Sequence, residues 1–214
     1  MIEASTPKRI VCLTEESVET LYALGKGDLV VGVSAYVERP IEAKSLPVVC
    51  SFVKANSIKI SSLEPDLVVG FSDVQKDIAR DLVEKGFNVF ISNHRSIQGI
   101  FNYIKTLASL VGASSEAETY LSKLNEKIEK AKLFAASLDK RPKVYIEEWD
   151  EPLITGIGWF SEVVSLCGGE VIHIEKSRKK AAMDRVVSSE FVIENNPDII
   201  FGCWCGKPLD KDII

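Results

Sequence analysis

Leu63-Glu-Pro-Asp-Leu-Val-Val-Gly-Phe71 returns later in the chain as Asn195-Asn-Pro-Asp-Ile-Ile-Phe-Gly-Cys203. In both stretches a Pro-Asp pair launches a short apolar run that stops at glycine. Pro65 and Pro197 are 132 positions apart (197 − 65). At nearly that offset, the charged start and apolar run of Arg9-Ile-Val-Cys-Leu13 are echoed by Lys143-Val-Tyr-Ile146. A sequence that says the same thing twice predicts two similar lobes with a cleft between them. Proteins built that way usually hold a ligand in the cleft.

Outward from the repeat, strand and helix signals alternate. Arg9 to Leu13, Leu29 to Val33, Leu67 to Val69 and Phe87 to Ile91 read as strands. Glu15 to Leu24, Ile58 to Leu63, Val74 to Lys85 and Ser96 to Val111 read as helices, three of them stopped by Gly25, Gly86 and Gly112. The β-α order, with no tight hairpin signal, predicts parallel sheets covered on both faces. A long amphipathic pattern starts at Ser114 or Ser115 and runs toward Leu138, a rod of about 36 Å at 1.5 Å per residue. Such a rod joins two lobes stiffly. The pattern then restarts: strand at Val144 to Glu147, helix from Trp159 to Leu166, strand at Val171 to Ile174, helix capped by Ser188, strand at Ile199 to Phe201. The expected division is residues 1–112, a linking helix at 113–140, and a second lobe at 141–214 whose sheet reads as truncated at its C-terminus.

With 46% hydrophobic and 27% charged residues, the 214-residue chain has an ordinary globular composition. A net charge of −5 and no basic stripe argue against nucleic acid. Lys176-Ser-Arg-Lys-Lys180 reads as a solvated loop. No apolar stretch approaches the roughly 20 residues needed to span a bilayer. Met1-Ile-Glu-Ala-Ser-Thr-Pro-Lys8 is polar, so no signal peptide is expected on this chain. Cys12, Cys50, Cys167, Cys203 and Cys205 are odd in number and mostly in apolar contexts, so they read as small hydrophobes. Cys203-Trp-Cys205 lacks Cys-x-x-Cys spacing, and no metal site is expected.

In open parallel sheets, ligands lie beyond the carboxyl ends of the strands. The residues just past each strand are Thr14-Glu15-Glu16, Ser34-Ala-Tyr36, Phe71-Ser72-Asp73, Asn93-His94-Arg95, Glu148-Trp149-Asp150 and Cys203-Trp204-Cys205. Phe52 and Trp159 fall in neighbouring loops. All three tryptophans thus lie outside the faces of strands and helices, as expected where aromatics line the mouth of a cleft for a large flat guest. Glu38, Arg39 and Asp73 are candidates to orient that guest. Glu147-Glu-Trp-Asp-Glu151 is the one carboxylate cluster, but neighbouring acids on a strand face opposite ways, and solvated side chains at a strand end are expected. No nucleophile elbow, phosphate loop or complete dinucleotide fingerprint occurs, so catalysis is not expected.

Taken in order, these segments resemble the ABC-importer solute-binding proteins for cobalamin, haem and iron–siderophores, most closely the cobalamin branch. The resemblance is carried by Arg9–Leu13 with Glu19, Leu24-Gly25, Val31-Gly-Val-Ser34, Tyr36, Pro40, Leu63–Val68 and Gly86. In the second half it is carried by Glu147-Glu-Trp149, Pro152, Gly156, Glu162, Cys167-Gly-Gly169, Val187-Ser-Ser-Glu190 and Pro197-Asp198. It implies two Rossmann-like lobes joined by a long helix, with no intrinsic cofactor and with cobalamin, haem or a ferric siderophore as ligand. It also implies an extracytoplasmic, monomeric protein that delivers its ligand to a membrane permease. Tyr36, Phe52 and Phe71 correspond to ligand-facing aromatics, with Trp149, Trp159 and Trp204 expected beside them in the second half. Of the two acidic residues that dock on the permease, Glu190 matches one, whereas Ile58 stands at the other, leaving the docking pair incomplete. The usual Ser-Pro after the first strand is Thr14-Glu15 here. The competing reading is a cytoplasmic enzyme or cofactor-handling protein on the same fold.

Overall fold

A computed structural model describes residues 5–204. Two compact units divide them: the described residues up to His94 with Phe101–Ser122, and Arg95–Ile100 with the described residues from Lys123 onward. The division passes through two helices, α4 (Ile97–Leu110) and α5 (Ser114–Ala136).

The first unit is built on a parallel five-stranded sheet. In chain order its strands are β1 (Ile10–Cys12), β2 (Val30–Ser34), β3 (Val48–Cys50), β4 (Leu67–Phe71) and β5 (Val89–Ser92), and in space they run β3-β2-β1-β4-β5. Helices α1 (Glu15–Ala23), α2 (Ser57–Ser62) and α3 (Lys76–Glu84) belong to the same unit. Ile10, Val11 and Cys12 are all fully buried, as a central strand covered on both faces must be. Val11, Leu13, Val49, Ile60, Val68 and Leu82 form one core cluster.

In the second unit everything hangs on β6 (Lys143–Asp150). Along one edge it pairs first with β8 (Glu170–Val171), parallel, and then with β7 (Leu153–Thr155), antiparallel; β9 (Ile199–Gly202) pairs with it in parallel. Helices α6 (Gly158–Leu166), α7 (Ile174–Ser177) and α8 (Ser189–Asn195) complete the unit. Val144, Ile146, Val164 and Val171 form its core, with Phe160 and Ile174 packed against it.

The duplicated Pro-Asp pair does the same structural job in both units. The Asp66 carboxylate accepts the backbone N–H groups of Lys8 (2.7 Å) and Arg9 (3.0 Å), while its own N–H donates to Arg9 O. The Asp198 carboxylate accepts from Lys143 N (2.8 Å), and Asp198 N donates to Lys143 O. Each aspartate thus satisfies backbone groups at the start of the strand beside its own. Glu64 and Asn196, the residues before the two prolines, both carry a φ of 47°. This left-handed residue ends the preceding helix and turns the chain toward the sheet.

Five expectations need correction. The second unit contains an antiparallel hairpin, because β6 continues to Asp150 and turns straight into β7. Trp149 therefore lies inside a strand, and Trp159 in the first turn of α6. The expected strand from Val171 to Ile174 is reduced to β8, since Ile174 opens α7. Strand β3 was not expected. Glu147 and Glu148 are not solvated: the first is buried and the second ion-paired. Apart from these five, the expected truncation of the second lobe concerns residues 205–214, which lie outside the described residues.

Candidate functional site

At the carboxyl end of the first sheet, the chain fixes its loops with polar side chains. Gln75 is wholly buried and acts as a three-way tie. Its Nε2 donates to Phe52 O (3.0 Å) and Leu13 O (3.4 Å), and its Oε1 accepts from Phe71 N (3.0 Å). One amide thereby holds the ends of β1 and β4 and the loop after β3. Ser72, with a φ of 68°, accepts from Val74 N and starts the turn that carries Gln75.

The loop after β2 is held from α1. Glu15 Oε1 accepts from Glu38 N (3.3 Å) and Arg39 N (3.0 Å), and the Arg39 guanidinium lies 3.0 Å from Glu19 and 3.8 Å from Glu15. Both glutamates of Thr14-Glu15-Glu16 sit in the first turn of α1, where the helix dipole favours negative charge. Thr14 donates to Glu16 at 2.6 Å. Burial pushes the Glu16 carboxyl above the usual carboxylate range, and the bond from Thr14 only partly opposes this.

Tyr36 is 51% exposed on its held loop. Phe52 and Phe71 are half-buried. Phe71 starts a row of rings: its centroid lies 4.6 Å from that of His94, which lies 5.0 Å from Tyr103. His94 is oriented by Ser92, whose Oγ lies 2.9 Å from Nδ1.

In the second unit Trp149 is half-buried near the end of β6, its indole N–H donating to Glu151 O at 3.0 Å. Trp159 is half-buried and stacks on Phe160 (5.6 Å, 23°), which approaches Phe201 at 6.1 Å. Trp204 differs from these. It is 9% exposed and donates from Nε1 to the buried Glu147 carboxylate at 2.9 Å.

The hairpin bearing Trp149 is anchored by Arg185, which is 3% exposed. Its guanidinium grips both oxygens of Glu148 and donates to Thr155 O at 2.7 Å. Gly158 fixes the approach of α6: an added Cβ would lie 2.5 Å from Arg95 O and 3.2 Å from Ser177 O, both rigid backbone atoms. Gln75, Arg185 and the clamping role of Glu15 escape sequence reasoning. Apart from Phe71, which lies four residues before Gln75, their partners are 23 to 62 residues away, and no local pattern marks them.

Ile58 and Glu190 occupy equivalent places in the repeat, each the second residue of its helix, α2 or α8. Ile58 is 82% exposed. Glu190 is exposed too, and its own backbone N–H and Ser188 hold its carboxyl below the usual range. Among the described residues no group of three or more His, Cys, Asp or Glu could hold a metal ion, and no helix is long and apolar enough to cross a membrane.

Residues 10–214 match the model of a family described as periplasmic binding protein. The chain is 31% identical over 203 residues to a vitamin B12-binding protein of Yersinia pestis (strain Pestoides F), covering 93% of this chain and 70% of that one. Its fold is similar to that of the periplasmic vitamin B12 binding protein BtuF of Vibrio cholerae, with a TM-score of 0.74 and 27% identity over 93% of this chain and 77% of the other. It is also similar to S. aureus IsdE complexed with heme, with a TM-score of 0.76, 23% identity and coverage of 94% and 77%; at that identity the likeness speaks for the fold.

Proposed function

Since the chain belongs to the periplasmic binding protein family, we propose that it is the solute-binding component of an ABC importer and that it carries a large planar metal chelate. A corrinoid such as cobalamin is the first choice, with haem and ferric siderophores behind it. The observation that carries this reading is Tyr36, a ring half open to solvent on a loop that Glu15 holds through two backbone N–H groups. A pre-positioned ring offers stacking area at small ordering cost. Phe52 and Phe71 are the further candidate rings of the first unit, and Trp149 and Trp159 those of the second, where Trp204 contributes through its contact with the buried Glu147 of β6.

The protein is read as a binder and not as an enzyme. The polar side chains at the strand ends spend their hydrogen bonds on holding loops: Gln75 on three backbone groups, Glu15 on two, Arg185 on Glu148 and Thr155. Such a site is built to capture. Delivery to the permease is assigned to Glu190 in the second unit. At the equivalent place in the first unit Ile58 offers an apolar contact instead of a charge.

Titrating purified protein with hydroxocobalamin, haem and a ferric siderophore tests the reading by visible spectra and thermal shift. A ligand at 100-fold its Kd stabilises by about 2.7 kcal/mol, an upward shift of roughly 5–10 °C for a chain of this size. No spectral change and no shift with any of the three at concentrations far above micromolar would sink it.

A further inference from the structure

In the second unit, Tyr145, Thr155, His173 and Arg185 are each no more than 3% exposed. Five polar atoms among them lack a protein partner within hydrogen-bond distance: Tyr145 Oη, Thr155 Oγ1, both ring nitrogens of His173 and Arg185 Nε. Such a group costs about 1–3 kcal/mol if nothing satisfies it. The four side chains are neighbours. The rings of Tyr145 and His173 meet edge to face at 5.6 Å, and Arg185 donates to Thr155 O at 2.7 Å. Thr155 is opposite Glu147 in the hairpin register, so its side chain leaves the sheet on the face that Tyr145 shares. His173 follows directly from Ile172, whose N–H is bound to Val144 O.

We infer that these four side chains enclose a binding site for internal water, with about two molecules, at roughly three hydrogen bonds each, reaching all five atoms. The guest is neutral because the one cation of the set, Arg185, is already paired with Glu148 and leaves no net charge to balance. It must also donate and accept, since the set offers two hydroxyls, one Arg N–H and an imidazole with one donor and one acceptor. Burial, reinforced by the Arg185 charge, pushes His173 down to about 4, so its ring is neutral at pH 7. The site involves no cargo and is independent of the transport reading.

A high-resolution crystal structure at neutral pH should show density at about 2.7–3.2 Å from both His173 nitrogens and from Tyr145 Oη. In solution, the His173 ring protons should give cross-relaxation peaks to long-lived water. These peaks should vanish in Tyr145→Phe/Thr155→Val, with Thr155→Val alone as the second variant if the double variant does not fold. An absence of density or of water peaks at these atoms, His173 bonded straight to Tyr145, or peaks unchanged in the variant would each overturn the inference.

Discussion

Lowering the pH should weaken this protein through His173. The ring is 2% exposed, and burial together with the Arg185 charge takes its pKa from 6.5 to about 4. In the unfolded chain the imidazole picks up a proton as pH falls through 6.5; in the folded chain it resists until pH about 4. Between those values the unfolded state binds the extra proton, so stability declines as pH falls, at about 1.4 kcal/mol per pH unit through the middle of the window. Across the whole window the loss amounts to about 3 kcal/mol, and below pH 4 this source contributes no further slope. Glu16, whose carboxyl is pushed up by burial, acts with the opposite sign. Comparison with His173→Gln removes that background, because Glu16 is common to both proteins. The assay is urea unfolding from pH 8 to pH 4, followed by tryptophan fluorescence, since all three tryptophans lie in the second unit. Parallel stability curves for the two proteins would refute the reasoning.

Arg185→Met should destabilise the second unit by about 3–5 kcal/mol, because it strands the half-buried Glu148 carboxylate; Arg185→Met/Glu148→Leu should recover part of that loss in the same unfolding assay. Gln75→Ala removes the partner of three backbone groups and should cost about 2 kcal/mol by thermal unfolding. Gly158→Ala drives a methyl into two carbonyl oxygens and should cost about 1–3 kcal/mol, whereas Gly86→Ala, at a φ of 85° with open space around it, tests strain without a clash. Trp149→Ala should weaken hydroxocobalamin binding by about 1–3 kcal/mol in calorimetry; an unchanged Kd removes that ring from the site.

Much of the architecture was legible because the repeat is local: a Pro-Asp pair, an aliphatic run and a terminal glycine sit within nine residues. The long helix was legible for the same reason, and α5 begins at Ser114, one of the two serines expected to cap it. Ser188 caps α8 as the sequence suggested, accepting from Phe191 N. What escaped was non-local or weakly marked. Strand β3 is three residues between a proline and a loop, too short to show alternation. The β6–β7 hairpin turns at Glu151-Pro152 and lacks the Asn-Gly signature of tight turns. The candidate aromatics rest on residue type and an expected place after strands, a place that Trp149, inside β6, and Trp159, inside α6, do not keep. The side chains that hold the loops could not be picked out, because a buried Gln or Arg looks like any other until its distant partner is known.

Strand β6 has a consequence for how the polypeptide is made. Its partner β9 lies about 55 residues downstream, so the second sheet gains its longest pairing only late in synthesis. A nascent chain leaving the ribosome must carry the Lys143–Asp150 ribbon with one edge bare until Ile199–Gly202 emerges. At roughly 5–20 residues per second that delay is several seconds, long enough for chaperone capture or for misassembly between neighbouring chains. The first sheet has the same wait at its centre, because β1 gains its second neighbour only when Leu67–Phe71 emerges, 57 residues after Ile10 (67 − 10).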